Sequence, residues 1–91
     1  MQYISLEFLL DAHDFLLNEY GGKHGEHNLN AVDSVLTHIQ NNEYYPNFTD
    51  KSVQLFYCII KFHPFIDGNK RTAITALLSF WTINWKILLF E

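Results

Sequence analysis

Apolar residues recur at helical spacing along most of this chain. Leu6, Leu9, Leu10, Leu16, Leu17 and Tyr20 keep steps of three and four, with Ser5 placed to cap their helix. His13 falls on the same face, between Leu9 and Leu17. Gly21-Gly22 stops this first helix, and the polar residues 22–28 read as a loop. A second helix is predicted from Asn30 as N-cap, with Leu29 as a staple and Val32, Val35, Leu36 and Ile39 on its buried face. Residues 40–50 break the period and carry a proline, which predicts a loop or short hairpin. Thr49 or Asp50 then caps a third helix through about Phe62, apolar at Val53, Phe56, Tyr57, Ile59 and Ile60. Because those positions wrap most of the way round, this helix is expected at the centre. Pro64 disfavours helical geometry at His63 and ends it there. A tight turn over residues 63–68 leads into a fourth helix from about Asn69 to Ile83, and the pattern leaves Trp85 to Glu91 undecided. The expected class is all-α, four helices in a single domain over residues 1–91.

The C-terminal stretch needs separate treatment because residues 72–90 are almost continuously apolar. Its polar members Thr72, Thr75, Ser79, Thr82 and Lys86 are spaced 3, 4, 3 and 4, one narrow stripe on a helix. That predicts a buried helix with one wet edge. A lysine and an asparagine inside the run weigh against a membrane span. Met1-Gln2-Tyr3-Ile4-Ser5 lacks the basic region and apolar run of a signal peptide, so a cytoplasmic protein is expected.

Composition narrows the class further. Ninety-one residues bound the chain to one domain, and 48% hydrophobic with 16% aromatic residues excludes disorder. The single cysteine, Cys58, excludes an internal disulfide framework and is expected to be a buried packing residue. A net charge of −4 argues against direct nucleic-acid binding. The charge is uneven. Residues 1–50 hold eight acids and one base, a balance of −7, while residues 51–91 hold two acids and five bases, a balance of +3. A basic focus within an acidic chain suits an anion pocket of limited size.

Candidate chemistry concentrates in His63-Pro64-Phe65-Ile66-Asp67-Gly68-Asn69-Lys70-Arg71, between two predicted helices. Amide groups at a helix start bind phosphate, and a glycine there lets a ligand approach the backbone. Lys70 and Arg71 add charge at the same spot. Asp67 can offer a carboxylate oxygen to Mg²⁺, and His63 an imidazole able to take a hydroxyl proton near neutral pH. Phe65 is expected to point inward and anchor the turn. A base, a metal carboxylate and a phosphate-binding helix start within nine residues form the tool set of phosphoryl-type transfer. His24 and His27 lack a clear third ligand and read as a solvated loop; His13 and His38 read as core-edge or surface residues.

These residues resemble the signature of the Fic/Doc family, H-x-F-x-[D/E]-G-N with an arginine two residues on; His63, Phe65, Asp67, Gly68, Asn69 and Arg71 match its core. His63 through Ala73 are most similar to the form of the Doc (death-on-curing) toxins, H-x-F-x-D-[A/G]-N-K-R-T-A. Upstream, Tyr20-Gly21-Gly22-Lys23-His24-Gly25 resembles the Y-G-G-x-x-G turn after the first Doc helix. The resemblance implies a Fic/Doc-type helical bundle in which His63 deprotonates a target hydroxyl and Asp67 helps position Mg²⁺ and the nucleotide. It implies ATP phosphates held by Gly68, Asn69, Lys70 and Arg71, with Lys61 a weaker candidate just before the motif. Residues 43–48, including Tyr44 and Tyr45, occupy the place of the flap that positions the target segment.

Two departures from the general Fic pattern bear on the reaction. Lys70 stands where adenylyltransferases carry glycine, and Ile74 where they carry arginine. Doc toxins share both changes, which implies a kinase transferring the ATP γ-phosphate to a threonine of elongation factor Tu and arresting translation. The alternatives are an AMP-transferring Fic enzyme, or an inactive truncated paralogue that only binds a partner. No self-inhibitory [S/T]-x-x-x-E-[G/N] motif occurs, so inhibition is expected from a separate antitoxin. Doc chains usually continue through further helices, whereas this sequence stops twenty residues past Arg71. Phe80, Trp81, Trp85 and Phe90 are therefore expected to be exposed, or covered in a homo-oligomer.

Overall fold

The computed structural model describes residues 1–90 and contains four helices, α1 (Leu6–Tyr20), α2 (Leu29–His38), α3 (Phe48–Phe62) and α4 (Asn69–Phe90). Among the described residues there is no strand, only an isolated antiparallel bridge between Glu26 and Phe65. The all-α expectation holds. α4 packs against α3 and α1, and α3 also packs against α2. Their inner faces meet in a core that includes Leu9, Val32, Leu36, Ile39, Leu55, Ile59 and Phe80, with Ala73 and Ala76 fully buried on α4.

Helix ends show where local sequence sufficed. The Ser5 hydroxyl accepts from the Phe8 amide at 3.0 Å, and Gly21 (φ 85) ends α1 with its N–H on the Leu17 carbonyl. α2 corrects the expectation of Asn30: the N-cap is Asn28, and Leu29 is already helical. The amides of His27 and Asn28 both donate to the Pro64 carbonyl, so a distant segment sets the entry angle. α3 likewise starts earlier than Thr49 or Asp50. Asn47 caps it, its side-chain oxygen accepting from the Asp50 amide at 2.9 Å, which brings Phe48 into the helix and against Phe80. Residues 40–47 form turns rather than a hairpin, closed by Tyr45 N–H to the Asn41 carbonyl.

A buried cation holds that turn region. Lys51, on the first turn of α3, is almost wholly enclosed and donates to the Ile39 carbonyl and to Asn42 Oδ1. It thereby neutralises the carbonyl end of α2, where a positive charge is favoured. The Tyr3 ring lies beneath the ammonium at 5.4 Å.

α4 departs furthest from expectation. It runs unbroken to Phe90, and Asn84 ties the chain start to it by accepting from the Gln2 amide and donating to the Gln2 carbonyl. Phe80 is not exposed but fully buried, between Tyr3 and Phe48. The helix as a whole is not buried with one wet edge: along its 22 residues, Asn69, Thr72, Ala73, Ala76, Phe80 and Asn84 are the buried ones. Thr72, at the head of the polar stripe, is buried, while Ile74, Leu78, Trp81 and Trp85 stand exposed. By length and composition alone, α4 could cross a membrane. α3 is also less enclosed than its pattern implied. Val53 and Tyr57 are exposed and, with Phe48, Phe56, Ile60 and Leu77, line an apolar groove of about 460 Å³.

Candidate active site

The segment between α3 and α4 is built by three restraints. First, Pro64 keeps His63 out of helical geometry, and His63 adopts the left-handed region at φ 47, ψ 63. Among the described residues it is the one non-glycine with positive φ. This throws the chain sharply off the α3 axis and leaves the imidazole exposed. Second, Phe65 turns inward and is 1% exposed, its ring stacked on His13 at 3.7 Å and 11°. Third, the Asn69 side chain grips the Phe65 backbone on both sides. Its oxygen accepts from the Phe65 amide at 3.1 Å and its nitrogen donates to the Phe65 carbonyl at 2.8 Å.

The glycine-rich turn after α1 braces the loop from outside. Ile66 N–H donates to the Gly25 carbonyl, and the Lys23 amide donates to Asp67 Oδ2 at 3.0 Å. Gly22 and Gly25 have φ near +126° and +127°, a conformation open essentially to glycine. A Cβ at Gly25 would sit 2.7 Å from the Ile66 side chain, and one at Gly22 2.8 Å from that of Leu17. The spacing of this turn thus serves the loop some forty residues later.

The result is a pocket of about 520 Å³ lined by His63, Ile66, Asp67, Gly68, Asn69, Lys70 and Arg71. The amides of Asn69, Lys70 and Arg71 precede the first main-chain bond of α4, Thr72 N–H to the Gly68 carbonyl, and so belong to the set a helix start leaves without intrahelical partners. Two cationic side chains and the positive end of a 22-residue helix, beside one carboxylate, give the pocket electrostatics that suit an anion. Arg71 is oriented by Tyr20, whose ring lies 4.3 Å below the guanidinium. The Asp67 carboxylate is exposed beside these cations, a position from which it could share Mg²⁺ with phosphate oxygens. Among the described residues no group of three or more acidic, histidine or cysteine side chains forms a metal cluster.

Other sequence candidates lie elsewhere. Lys61 is not among the pocket-lining residues; its ammonium lies over the Tyr57 and Phe62 rings, and its interaction with Tyr57 raises its pKa. Tyr44 and Tyr45 line a separate recess of about 360 Å³ with His38 and Asn41. His24 pairs with Asp14 at 3.7 Å on the surface. Cys58 is buried, and burial pushes its thiol pKa up despite the opposing effect of Lys61.

Two roles escaped the sequence. Asn69, a candidate phosphate ligand by its place in the motif, lines the pocket, and both ends of its side-chain amide also bond the Phe65 backbone. His13 was expected at the core edge, yet it is buried under the loop with Nε2 2.7 Å from the Asp67 carbonyl. A histidine four residues from each of two buried leucines was the available signal, since buried polar groups need partners.

The fold and the site together define an all-α protein with a cation-lined pocket at the head of its longest helix and a histidine among the residues that line it. A family model described as the Fic/DOC family matches residues 3–81, and the chain belongs to that family. It is also 31% identical over 87 residues to the protein kinase doc of Escherichia phage P1, an alignment covering 92% of this chain and 69% of that protein.

Proposed function

We propose that this chain is a Doc-like toxin that transfers the γ-phosphate of ATP to a protein hydroxyl, by resemblance a threonine of elongation factor Tu, and so arrests translation. The observation that carries the reading is the convergence of His63, Asp67, Lys70 and Arg71 on one pocket at a helix start. The similarity to a protein kinase supports phosphate rather than AMP transfer. Lys70 supports it too, since it lines the pocket where the AMP-transferring pattern has glycine, and Ile74 one turn later offers no guanidinium.

In this reading His63 accepts the proton of the target hydroxyl as its oxygen attacks the γ-phosphorus. The bond from that phosphorus to the β,γ-bridging oxygen breaks, and ADP leaves. Lys70, Arg71 and the amides from Gly68 onward stabilise charge on the phosphoryl oxygens. Mg²⁺, held by Asp67 and the phosphates, would neutralise part of that charge. Tyr44 and Tyr45 would help seat the target segment, and Lys61 would assist from outside the pocket. The setting is cytoplasmic, with an antitoxin as inhibitory partner. A second copy of the chain would cover Ile74, Leu78, Trp81 and Trp85.

The test is incubation of a bacterial lysate with the protein and either γ-labelled or α-labelled ATP. Transfer of γ-label alone is expected. Transfer of α-label indicates adenylylation, and transfer of neither indicates a binding module. Light scattering after gel filtration reports the dimer, and a monomer at tens of micromolar would remove the self-association.

A further inference from the structure

We propose that His13 is a positioning residue of the motif loop: it holds the Asp67 carbonyl inward and so turns the Gly68 N–H toward the pocket. The inference rests on the phosphate-binding reading above and adds a side chain that lies 54 residues before the group it positions.

The hydrogen bond defines the roles. A carbonyl oxygen only accepts, so the contact from His13 Nε2 to the Asp67 carbonyl requires the proton on Nε2. The ring cannot swing away, because it is 3% exposed and stacked against Phe65 at 3.7 Å. The Asp67–Gly68 peptide is planar and trans, so its N–H points opposite to its C=O. With the carbonyl directed to a buried ring, the Gly68 amide faces outward, and Gly68 lines the pocket. The next carbonyl, that of Gly68, is held by the Thr72 amide as the helix begins. Gly68 therefore lies between two anchored carbonyls.

Glycine makes such a lock necessary. Gly68 sits at φ +78, and without a Cβ the peptide before it can reverse at little steric cost. His13 and Leu17 form the floor beneath it, both within 3.6 Å of where a Cβ would stand. Packing alone does not call for a histidine there. Position 13 lies on an apolar face between Leu9 and Leu17, where leucine would fill space without a polar atom to satisfy. The Asp67 carbonyl is what an imidazole meets and a leucine does not.

The experiment uses the whole chain and two variants that separate the ring from the donor. His13→Phe keeps a stacked ring without a donor, and His13→Gln keeps an N–H near the Nε2 position without the ring. Amide NMR follows Gly68 during titration with Mg-ATP, alongside the melting temperature. In wild type the Gly68 amide should move on titration. His13→Phe should melt within a few degrees of wild type yet bind at least about tenfold more weakly, and His13→Gln should recover most of that loss. Equal impairment of both variants, or full binding by His13→Phe, would overturn the proposal. Should wild type fail to bind Mg-ATP, the phosphate reading fails while the lock stays testable. The nucleotide-free Asp67 carbonyl shift must change in His13→Phe and be largely restored in His13→Gln, or the lock is refuted. If neither variant folds, wild type alone decides: a slowly exchanging His13 Nε2–H resonance is required.

Discussion

Replacing Phe65 by alanine removes the side chain that fastens the motif loop to the helices. Phe65 is 1% exposed, and its ring lies flat on His13. An aromatic ring of this kind buries about 150–250 Å², which at about 25 cal/mol per Å² corresponds to about 4–6 kcal/mol for the whole side chain. Alanine retains the β-carbon, and the Asn69 clamp still holds the backbone on both sides, so the loop closes only partly over the space. The expected loss is about 3–5 kcal/mol, the usual result for a buried ring. For a domain of this size each kcal/mol moves the melting temperature by about 4–8 °C, so a fall of more than about 12 °C is expected. Urea unfolding supplies the second measurement, with the midpoint lowered at an unchanged slope. Ile66→Ala is the internal control, because Ile66 is the next residue in the loop and 51% exposed. It should lose less than about 1 kcal/mol. A Phe65→Ala protein that melts within about 4 °C of wild type would refute the anchor, whatever its activity.

The catalytic assignment gives a complementary expectation. His63→Asn should abolish transfer and growth arrest at an almost unchanged melting temperature, because asparagine tolerates the left-handed conformation found at His63; growth arrest by a soluble variant would sink the assignment. Lys70→Gly should lose γ-transfer by about two orders of magnitude or more, several kcal/mol of lost charge stabilisation, without gaining AMP transfer while Ile74 remains; full γ-transfer in a labelled-ATP assay would contradict this. Lys51→Met should cost about 2 kcal/mol or more, as the Ile39 carbonyl and Asn42 lose a charged donor, and chemical denaturation reads it directly. Cys58, with its thiol pKa raised by burial, should react with iodoacetamide far more slowly than a free thiol at pH 8 and at the ordinary rate in denaturant; rapid labelling of the folded chain would show an accessible thiolate.

Much of this architecture is carried by local rules that sequence states openly. Gly21 ends α1 because a residue without a Cβ enters φ 85 freely, and Pro64 ends α3 because it bars helical geometry at His63. The motif from His63 to Arg71 is contiguous, so its pocket was legible before any fold was known. What tertiary structure alone decided involves partners far apart in the chain. Asn28 rather than Asn30 begins α2 because the Pro64 carbonyl takes the amides before it. Asn69 becomes a backbone clamp because Phe65 is drawn inward. His13 meets the Asp67 carbonyl across 54 residues. The same distinction divides α4. Phe80 and Trp81 are neighbours in an apolar run, yet Phe80 is enclosed by Tyr3 and Phe48 while Trp81 faces out. Hydrophobicity states which residues gain from leaving water; which of them do so depends on the rotation of each helix against its neighbours, and that rotation is set by packing across the whole molecule.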